Sequence, residues 1–442
     1  MNKNTIYWTN RKQVLQAVKD NGANLEYASD ELKNDKMIVM TAVNNEPYAL
    51  AFAGDKLRNE PDVVLTAVNQ NGFCLEYASE FLRSDKAIVK VAVNNEGEAL
   101  QFASKELRNN LTIVRTAVKN DGTALVHASE FLKNDKSIVL SAIQGEGWNL
   151  QYASKRLQDD QYVVSEALYH QASLEFVSER LRANKKIVQH ALKSHGKNLE
   201  FASDKLRANK SIVFQAVKSW GRALKFADPK LQADKDIVEA AIENDGYSLK
   251  YAAKQYCSDR SLLLKAVSGD DDSGHSSMIL KFADNVLKSD KTIVLAAIKR
   301  NGEALQFASK ELRADKEVIM TALKNSNIIY NMFAESQRKK DQPLSPLAFA
   351  SQALQADREV VFEAVTNKGA ALKYANNVFK QDRDIVMQAI NSHDTNFDFT
   401  ASPLLYASDE LKADKELVIK AVRNDPAAIK FASFQLQTDN LL

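Results

Sequence analysis

A 25-residue period runs through almost all of this 442-residue chain and constrains its fold more than any other feature. The stretch Asp35-Lys36-Met37-Ile38-Val39-Met40-Thr41-Ala42-Val43 returns as Asp85-Lys86-Ala87-Ile88-Val89-Lys90-Val91-Ala92-Val93. Its central Ala falls at 17, 42, 67, 92, 117, 142 and onward to 421, which makes sixteen copies. A second anchor is the Ala or Val after an aromatic residue, as in Leu100-Gln101-Phe102-Ala103-Ser104. It recurs from 28 to 432, and the next first anchor always follows 14 residues later. One such unit has too little apolar surface to fold alone, so the copies must stack and share a core.

Each unit reads as two helices and a short helical turn. Ile and Val three and four residues before the first anchor, with another apolar residue just after it, form a stripe at helical spacing, helix A. Seven residues before the anchor stands Asp or Asn in fifteen copies, a helix-starting cap, and in the other copy Glu60 precedes Pro61. Gly lies five residues after the anchor in ten copies, Gly22, Gly72 and Gly97 among them, and predicts that helix A stops by entering the left-handed conformation. Helix B follows with Leu, an aromatic and Ala, as in Leu25, Tyr27 and Ala28. A Ser after it in eleven copies predicts a break into a separate turn carrying Leu32, Leu57, Leu82 and their counterparts. The expected fold is all-α: a right-handed or superhelical α-solenoid of about sixteen units forming a single domain over 10–439. Residues 1–9 are the N-terminal cap segment and 440–442 the C-terminal end.

Four breaks in the period all fall between helix A and helix B. That link is one residue shorter after Ala167, and it is longer by six after Ala266, seventeen after Ala322 and seven after Ala389. The B-to-A connection never changes length, so it is expected to be packed between neighbours, leaving the A-to-B edge to carry loops near 269–277, 325–347 and 391–403. The first loop holds Asp270, Asp271 and Asp272. These are adjacent rather than alternate and have no closing Glu, so they read as a solvated acidic loop and not as a calcium site. The second sets the apolar Ile328, Ile329, Tyr330 and Phe333 beside the basic Arg338, Lys339 and Lys340. It is a candidate docking segment, unless its apolar half only extends helix A.

Little in the chain points to catalysis. The six histidines are scattered. His127 takes the place of Phe or Tyr in fifteen other copies, while His190 and His195 are five apart and do not share a helical face. No nucleophile triad, metal set or phosphate loop remains once capping carboxylates and helix-stop glycines are assigned, so no cofactor, metal or catalytic residue is expected. Cys74 and Cys257 are far apart, which favours a reducing compartment. The chain shows no apolar stretch of membrane-spanning length and no signal core. Its net charge of +2 creates no global field that would commit it to nucleic acid. Basic residues nevertheless form two rails. One lies five positions after the second anchor in eleven copies, including Arg83, Arg108, Arg182 and Arg207, and the other directly follows the cap in thirteen. Such rails could follow a phosphate backbone. The alternative is that capping Asp residues pair with the first rail as a structural ladder, with the aromatics in the core.

The pattern Asp-Lys-x-Ile-Val-x-x-Ala-Val, Asn-x-Gly and Ala-Leu-x-Phe-Ala-Ser-x-x-Leu-Arg, as in Asn95 to Arg108 and Asn301 to Arg313, resembles the family catalogued as domain of unknown function 4116. The resemblance covers about residues 10 to 439, two repeats to a family unit. In organisation the chain is also similar to leucine-rich-variant solenoids. The family resemblance implies a bacterial, protist or giant-virus setting and, for many bacterial members, an effector delivered into a host cell; it brings no catalytic residues. The resulting expectation is a non-enzymatic, monomeric protein-interaction scaffold, cytoplasmic or secreted without a cleaved signal peptide into a host cytosol. Its partner would be a host protein bound through the solenoid face or the inserted loops. The alternative is a solenoid that reads RNA or phosphoinositide through Arg83, Arg108, Arg182 and Arg207.

Overall fold

The computed structural model describes residues 7–269, 275–326, 345–393 and 402–438, and the chain divides into two compact units, Met1–Leu206 and Arg207–Leu442. Each unit is an all-α solenoid of stacked repeats, with no strand among the described residues. In the third repeat, helix A is Pro61–Gln70, the second element Gly72–Tyr77 and the short turn Glu80–Arg83. Helix A turns Ile or Val, Val and Ala inward: Val63, Val64, Ala67 and Val68 are fully buried, as are Ile88, Val89, Ala92 and Val93 in the next repeat. Leu75 and Leu100 of the second elements meet this stripe from the other side, and Leu82 of the turn closes the layer. Burying one such side chain stabilises by roughly 1.5–3 kcal/mol, and only stacking removes both faces of a repeat from water.

The predicted caps form. Asp35 Oδ1 accepts from the N–H groups of Met37 (3.0 Å) and Ile38 (3.2 Å), and Asp85 Oδ1 from Ala87 (2.8 Å) and Ile88 (3.0 Å). Each pairing satisfies two amides that a helix start leaves open. The second element differs from a plain helix B: it is a six-residue 3₁₀ helix in most repeats, closed by bonds such as Ala78 N–H to Leu75 O at 3.2 Å. Three residues per turn keep Leu inward and the aromatic two positions on at the rim, which a longer α-helix would not sustain over so short a run.

The glycines need a correction. None stops helix A in the left-handed region; the residue before the Gly is extended, as Asn71 is at φ −149°, ψ 113°, and where it is Asn or Asp it caps the 3₁₀ helix, Asn71 accepting from Phe73 N–H at 2.9 Å. Glycine is required by the next repeat. A Cβ on Gly72 would stand 2.3 Å from Ala92 O, and one on Gly97 2.5 Å from Ala117 O. The anchor Ala of helix A and the Gly of the preceding repeat are therefore two sides of one backbone contact. An Asn pins it: Asn95 Oδ1 accepts from Gly72 N–H (2.9 Å) and its Nδ2 donates to Asn69 O (3.1 Å). The shortened link after Ala167 is closed by Gln171 at φ 66°, and there Gly147 N–H donates to His170 O (2.9 Å) instead of to an Asn.

The B-to-A connection is packed between neighbours as expected, through a backbone seam. The N–H that follows each second anchor donates to the rail residue's carbonyl one repeat earlier: Ser79 to Arg58 (3.0 Å), Ser104 to Arg83 (3.0 Å), Ser129 to Arg108 (2.9 Å), Ser351 to Arg313 (3.0 Å). A changed link length would break this rung and leave two amide groups unpaired. On the A-to-B side the cross-repeat bond usually ends on an Asn side chain, as in Gly72 to Asn95 (2.9 Å), and reaches a backbone carbonyl at Gly147 to His170 (2.9 Å) and Gly302 to Asn325 (3.2 Å); all three insertions lie on that side.

A charge ladder also exists, but on the other rail. The cap of one repeat pairs with the basic residue that follows the preceding repeat's cap: Arg11 with Asp35 (2.6 Å), Lys136 with Asp160 (2.9 Å), Arg260 with Asp290 (2.6 Å), Lys291 with Asp315 (2.7 Å). The first rail is not the one that neutralises the caps: its side chains turn toward the 3₁₀ layer, as Arg182 does, or to an acid of their own short turn, as Arg58 does to Asp55 and Lys133 to Glu130. The bonded Arg260 guanidinium holds the Asp290 carboxyl below its usual value, and Lys291 does the same to Asp315. A depressed carboxylate contributes stability above its unfolded pKa of about 3.9 and loses it as pH falls through the lower folded value. The urea midpoint is thus expected to fall steeply below about pH 4, and Lys291→Met to make that loss shallower than in the wild type. Equal slopes in the two proteins would show that the ladder does not act.

Candidate interaction surface

The outer side of the 3₁₀ layer carries the features that caps, core and seam leave unexplained. The aromatic before each second anchor is half-buried in most repeats, for example Tyr77, Phe102, Phe226 and Phe431, and Tyr27 is 58% exposed. This corrects the expectation of a core register. One flank of each ring rests on the repeat while the rim meets water, so each unit presents a row of rings. Neighbouring repeats add further rings to it: Tyr48 and Tyr77 meet edge to face at 6.4 Å between centroids, and Phe73 and Phe102 at 6.5 Å. Rings in such geometry retain exposed apolar area that a partner can cover. His127 occupies its slot half-buried; burial, opposed by Glu98 and aided by Arg108 and Lys133, keeps its imidazole below the usual pKa, so it sits among the aromatics largely uncharged near neutrality.

The first rail lies beside this row and is partly occupied. Arg182 Nε donates to Leu174 O (2.9 Å), its Nη2 donates to Glu175 O, and the guanidinium stands 6.0 Å from the Phe201 ring. Where the rail residue is Gln, it does the same work: Gln158 Nε2 donates to Leu150 O (3.2 Å), Gln151 O (3.0 Å) and Ala153 O (3.1 Å). The position closes the C-terminal carbonyls of the 3₁₀ helix, which explains why a neutral amide can replace a cation there. Arg83, Arg108 and Arg207 are half-buried at equivalent places, and Arg83 Nε is buried without a hydrogen-bond partner.

Sequence reasoning passed over the residue just before the aromatic. It is solvent-facing in most repeats and divides by unit: Glu26, Glu76, Glu175 and Glu200 in the first, and Lys225, Lys250, Lys281, Lys373 and Lys430 in the second. The lysines lie over rings, Lys225 Nζ 5.3 Å from the Phe226 centroid and Lys430 Nζ 5.0 Å from that of Phe431. A separate edge, formed by the short turns, exposes Phe81 (73%) and Phe131 (75%) two repeats apart.

Other chemistry is sparse among the described residues. No group of three His, Cys, Asp or Glu side chains could hold a metal, and no helix is long and apolar enough to cross a membrane. Cys74 is a buried free thiol, pushed up to about 12 by burial. Two depressions are open troughs between outer faces of neighbouring helices A, one of 490 Å³ bordered by Met387, Ile419 and Arg423. Asp270, Asp271, Asp272, Ile328, Ile329, Tyr330, Phe333, Arg338, Lys339 and Lys340 lie outside the described residues.

The repeat geometry agrees with comparison to known proteins. The model of the family described as domain of unknown function (DUF4116) matches ten times, at 10–58, 61–108, 110–158, 163–207, 209–257, 234–288, 259–313, 290–336, 357–402 and 400–437. The chain belongs to the DUF4116 family. Most of these matches take in two 25-residue repeats, so the seam and the Gly–Ala contact between consecutive repeats fall inside a family unit. No curated protein matches significantly. Among solved structures, the crystal structure of an engineered protein is similar at 12% identity over 96% of this chain and 90% of that one. Its TM-score is 0.13, too low to bear on the argument.

Proposed function

We propose that this chain is a non-enzymatic scaffold that binds another protein through the face of its 3₁₀ layer. The row of half-exposed rings carries the reading, because apolar rims repeated along one face serve no purpose in the core and fit a partner's surface. The inserted segments on the A-to-B side are a second place of contact. The setting of a bacterial effector in a host cytosol rests on the family resemblance. Phosphate reading by the first rail is the weaker alternative, since Arg182 already directs Nε and Nη2 to carbonyl oxygens of its own repeat.

Proximity labelling with the full chain, with a Gln101→Arg/Val126→Arg variant and with a chain lacking 327–344 tests this. Gln101 and Val126 are exposed between rings, so the first variant obstructs the face without touching the core. Specific labelling is expected to fall at least about tenfold in that variant at an unchanged melting temperature. An unchanged labelling profile would remove the face from consideration, and loss only in the deletion would transfer the function to the insertion.

A further inference from the structure

The residue before each ring is exposed or half-exposed, is held at the same place on every 3₁₀ helix, and divides by sign between the two units. Read forward from the first repeat, the first unit's row begins Glu26, Ala51, Glu76, and it ends Glu175, Glu200. Read backward from the last repeat, the second unit's row begins Lys430, Leu405, Lys373, and it ends Lys250, Lys225. Laid against each other, every Glu meets a Lys, and the apolar Ala51 meets the apolar Leu405. The three middle positions oppose Gln101 to Ala348, Val126 to Gln306 and Gln151 to Lys281, which places no like charges together.

We infer that the 3₁₀ face binds a second copy of this chain in antiparallel fashion, the acidic row of one copy's first unit lying on the lysine row of the other's second unit. This rests on the reading of the face as an interaction surface and names its partner, replacing the expected monomer. A two-fold arrangement repeats each contact, so Glu26 meets Lys430 on both sides of the pair. The same repeat builds both rows, at the roughly 8–10 Å spacing of packed helices, so a register matched at one repeat stays matched along the row. Exposed ion pairs add little affinity each; they fix register and exclude the in-register parallel alternative, which would set each unit on its own copy, Glu against Glu and Lys against Lys. The ring rims supply the apolar area. A lysine already lying over a ring, as Lys373 does 5.7 Å from the Tyr374 centroid, brings its charge to the interface with part of its freedom already lost.

Three full-length proteins test this by sedimentation velocity: the wild type, an acidic-row variant (Glu26→Lys, Glu76→Lys, Glu175→Lys, Glu200→Lys) and a lysine-row variant (Lys225→Glu, Lys250→Glu, Lys373→Glu, Lys430→Glu). The wild type is expected to dimerise at low salt, with a dissociation constant that rises on the order of tenfold at high salt. Each variant alone is expected to be monomeric with an unchanged helical circular dichroism spectrum. Mixed in equal amounts, the two variants regain complementary rows and should form a heterodimer. That rescue cannot come from misfolded protein. A wild type monomeric at every concentration at low salt, or two folded variants that fail to associate when mixed, would overturn the inference. If that monomer loses polyuridylate or an acidic peptide in the lysine-row variant, the row serves a different partner and the inference is likewise overturned. A monomeric wild type whose proximity labelling still depends on Gln101 and Val126 leaves the binding face standing and sinks only its assignment to a second copy.

Discussion

Replacing Gly97 by Ala is expected to cost about 2–3 kcal/mol, far more than a single methyl group on an exposed loop. The new Cβ would lie 2.5 Å from Ala117 O, 2.9 Å from Asp121 Cβ and 2.9 Å from Asp121 N, and two of these three are backbone atoms that cannot swing aside. Relief requires separating the fourth repeat from the fifth, which also strains the bond from Gly97 N–H to Asn120 Oδ1 (2.6 Å). Gly97→Asn distinguishes this cause from a torsional one. At a left-handed helix end Asn substitutes tolerably for Gly, whereas at a steric contact it is at least as harmful as Ala. Gly145 supplies the control: a Cβ there meets nothing within 4 Å, and Gly145→Ala is expected to stay within about 0.5 kcal/mol of the wild type or slightly above it. Urea unfolding of the three variants provides the comparison. Rescue by Asn, or equal costs at Gly97 and Gly145, would overturn the close-approach explanation.

Asn149→Asp should be more damaging still. The Asn149 side chain is 1% exposed, and its Nδ2 donates to Ala142 O at 3.0 Å while Oδ1 has no partner. The substitution keeps the shape but exchanges the donor for a negative charge aimed at a carbonyl in the core. Leaving a buried charge uncompensated costs about 3–5 kcal/mol, against about 1–3 kcal/mol for removing the side-chain donor in Asn149→Ala. Burial would raise the new carboxyl's folded pKa above its unfolded value of about 3.9, so the penalty is present at neutral pH and disappears as pH falls below that value. The gap between variant and wild-type urea midpoints should therefore narrow toward pH 4, with faster amide exchange in the fifth and sixth repeats at pH 7. A gap that does not depend on pH would show that no buried charge forms.

Helix A was legible in the sequence because two independent signals agree there, a cap such as Asp35 and the stripe Ile38, Val39, Ala42 and Val43. The second helix was legible in place but not in kind. Leu25, Tyr27 and Ala28 fit one turn of either helix type, and only the closing bond, Ala28 N–H to Leu25 O, identifies the tighter one. A glycine in a sequence also does not say whether torsion or crowding demands it, and Gly72 was read by the commoner cause. Tyr77 and Phe102 looked like core residues because aromatic type reports apolar area and not which edge of the ring is covered. The division between Glu76 and Glu175 in the first unit and Lys225 and Lys373 in the second was always written in the chain. It acquired meaning only when the 3₁₀ geometry placed that position on the solvent side of each repeat.

The backbone seam also bears on how such a gene can change. Because each rung joins a repeat only to its neighbour, a recombination that drops or duplicates 75 bases removes or adds one whole rung and leaves the others in frame with their partners. A smaller change occurs only between helix A and the 3₁₀ helix, where the cross-repeat bond can move from an Asn side chain to a backbone carbonyl, as it does at Gly147 and His170. The seam acts as a hereditary ruler: it allows the protein's length to drift in units of one repeat while channelling every irregular insertion to a single side, where new binding chemistry can accumulate without disturbing the stack.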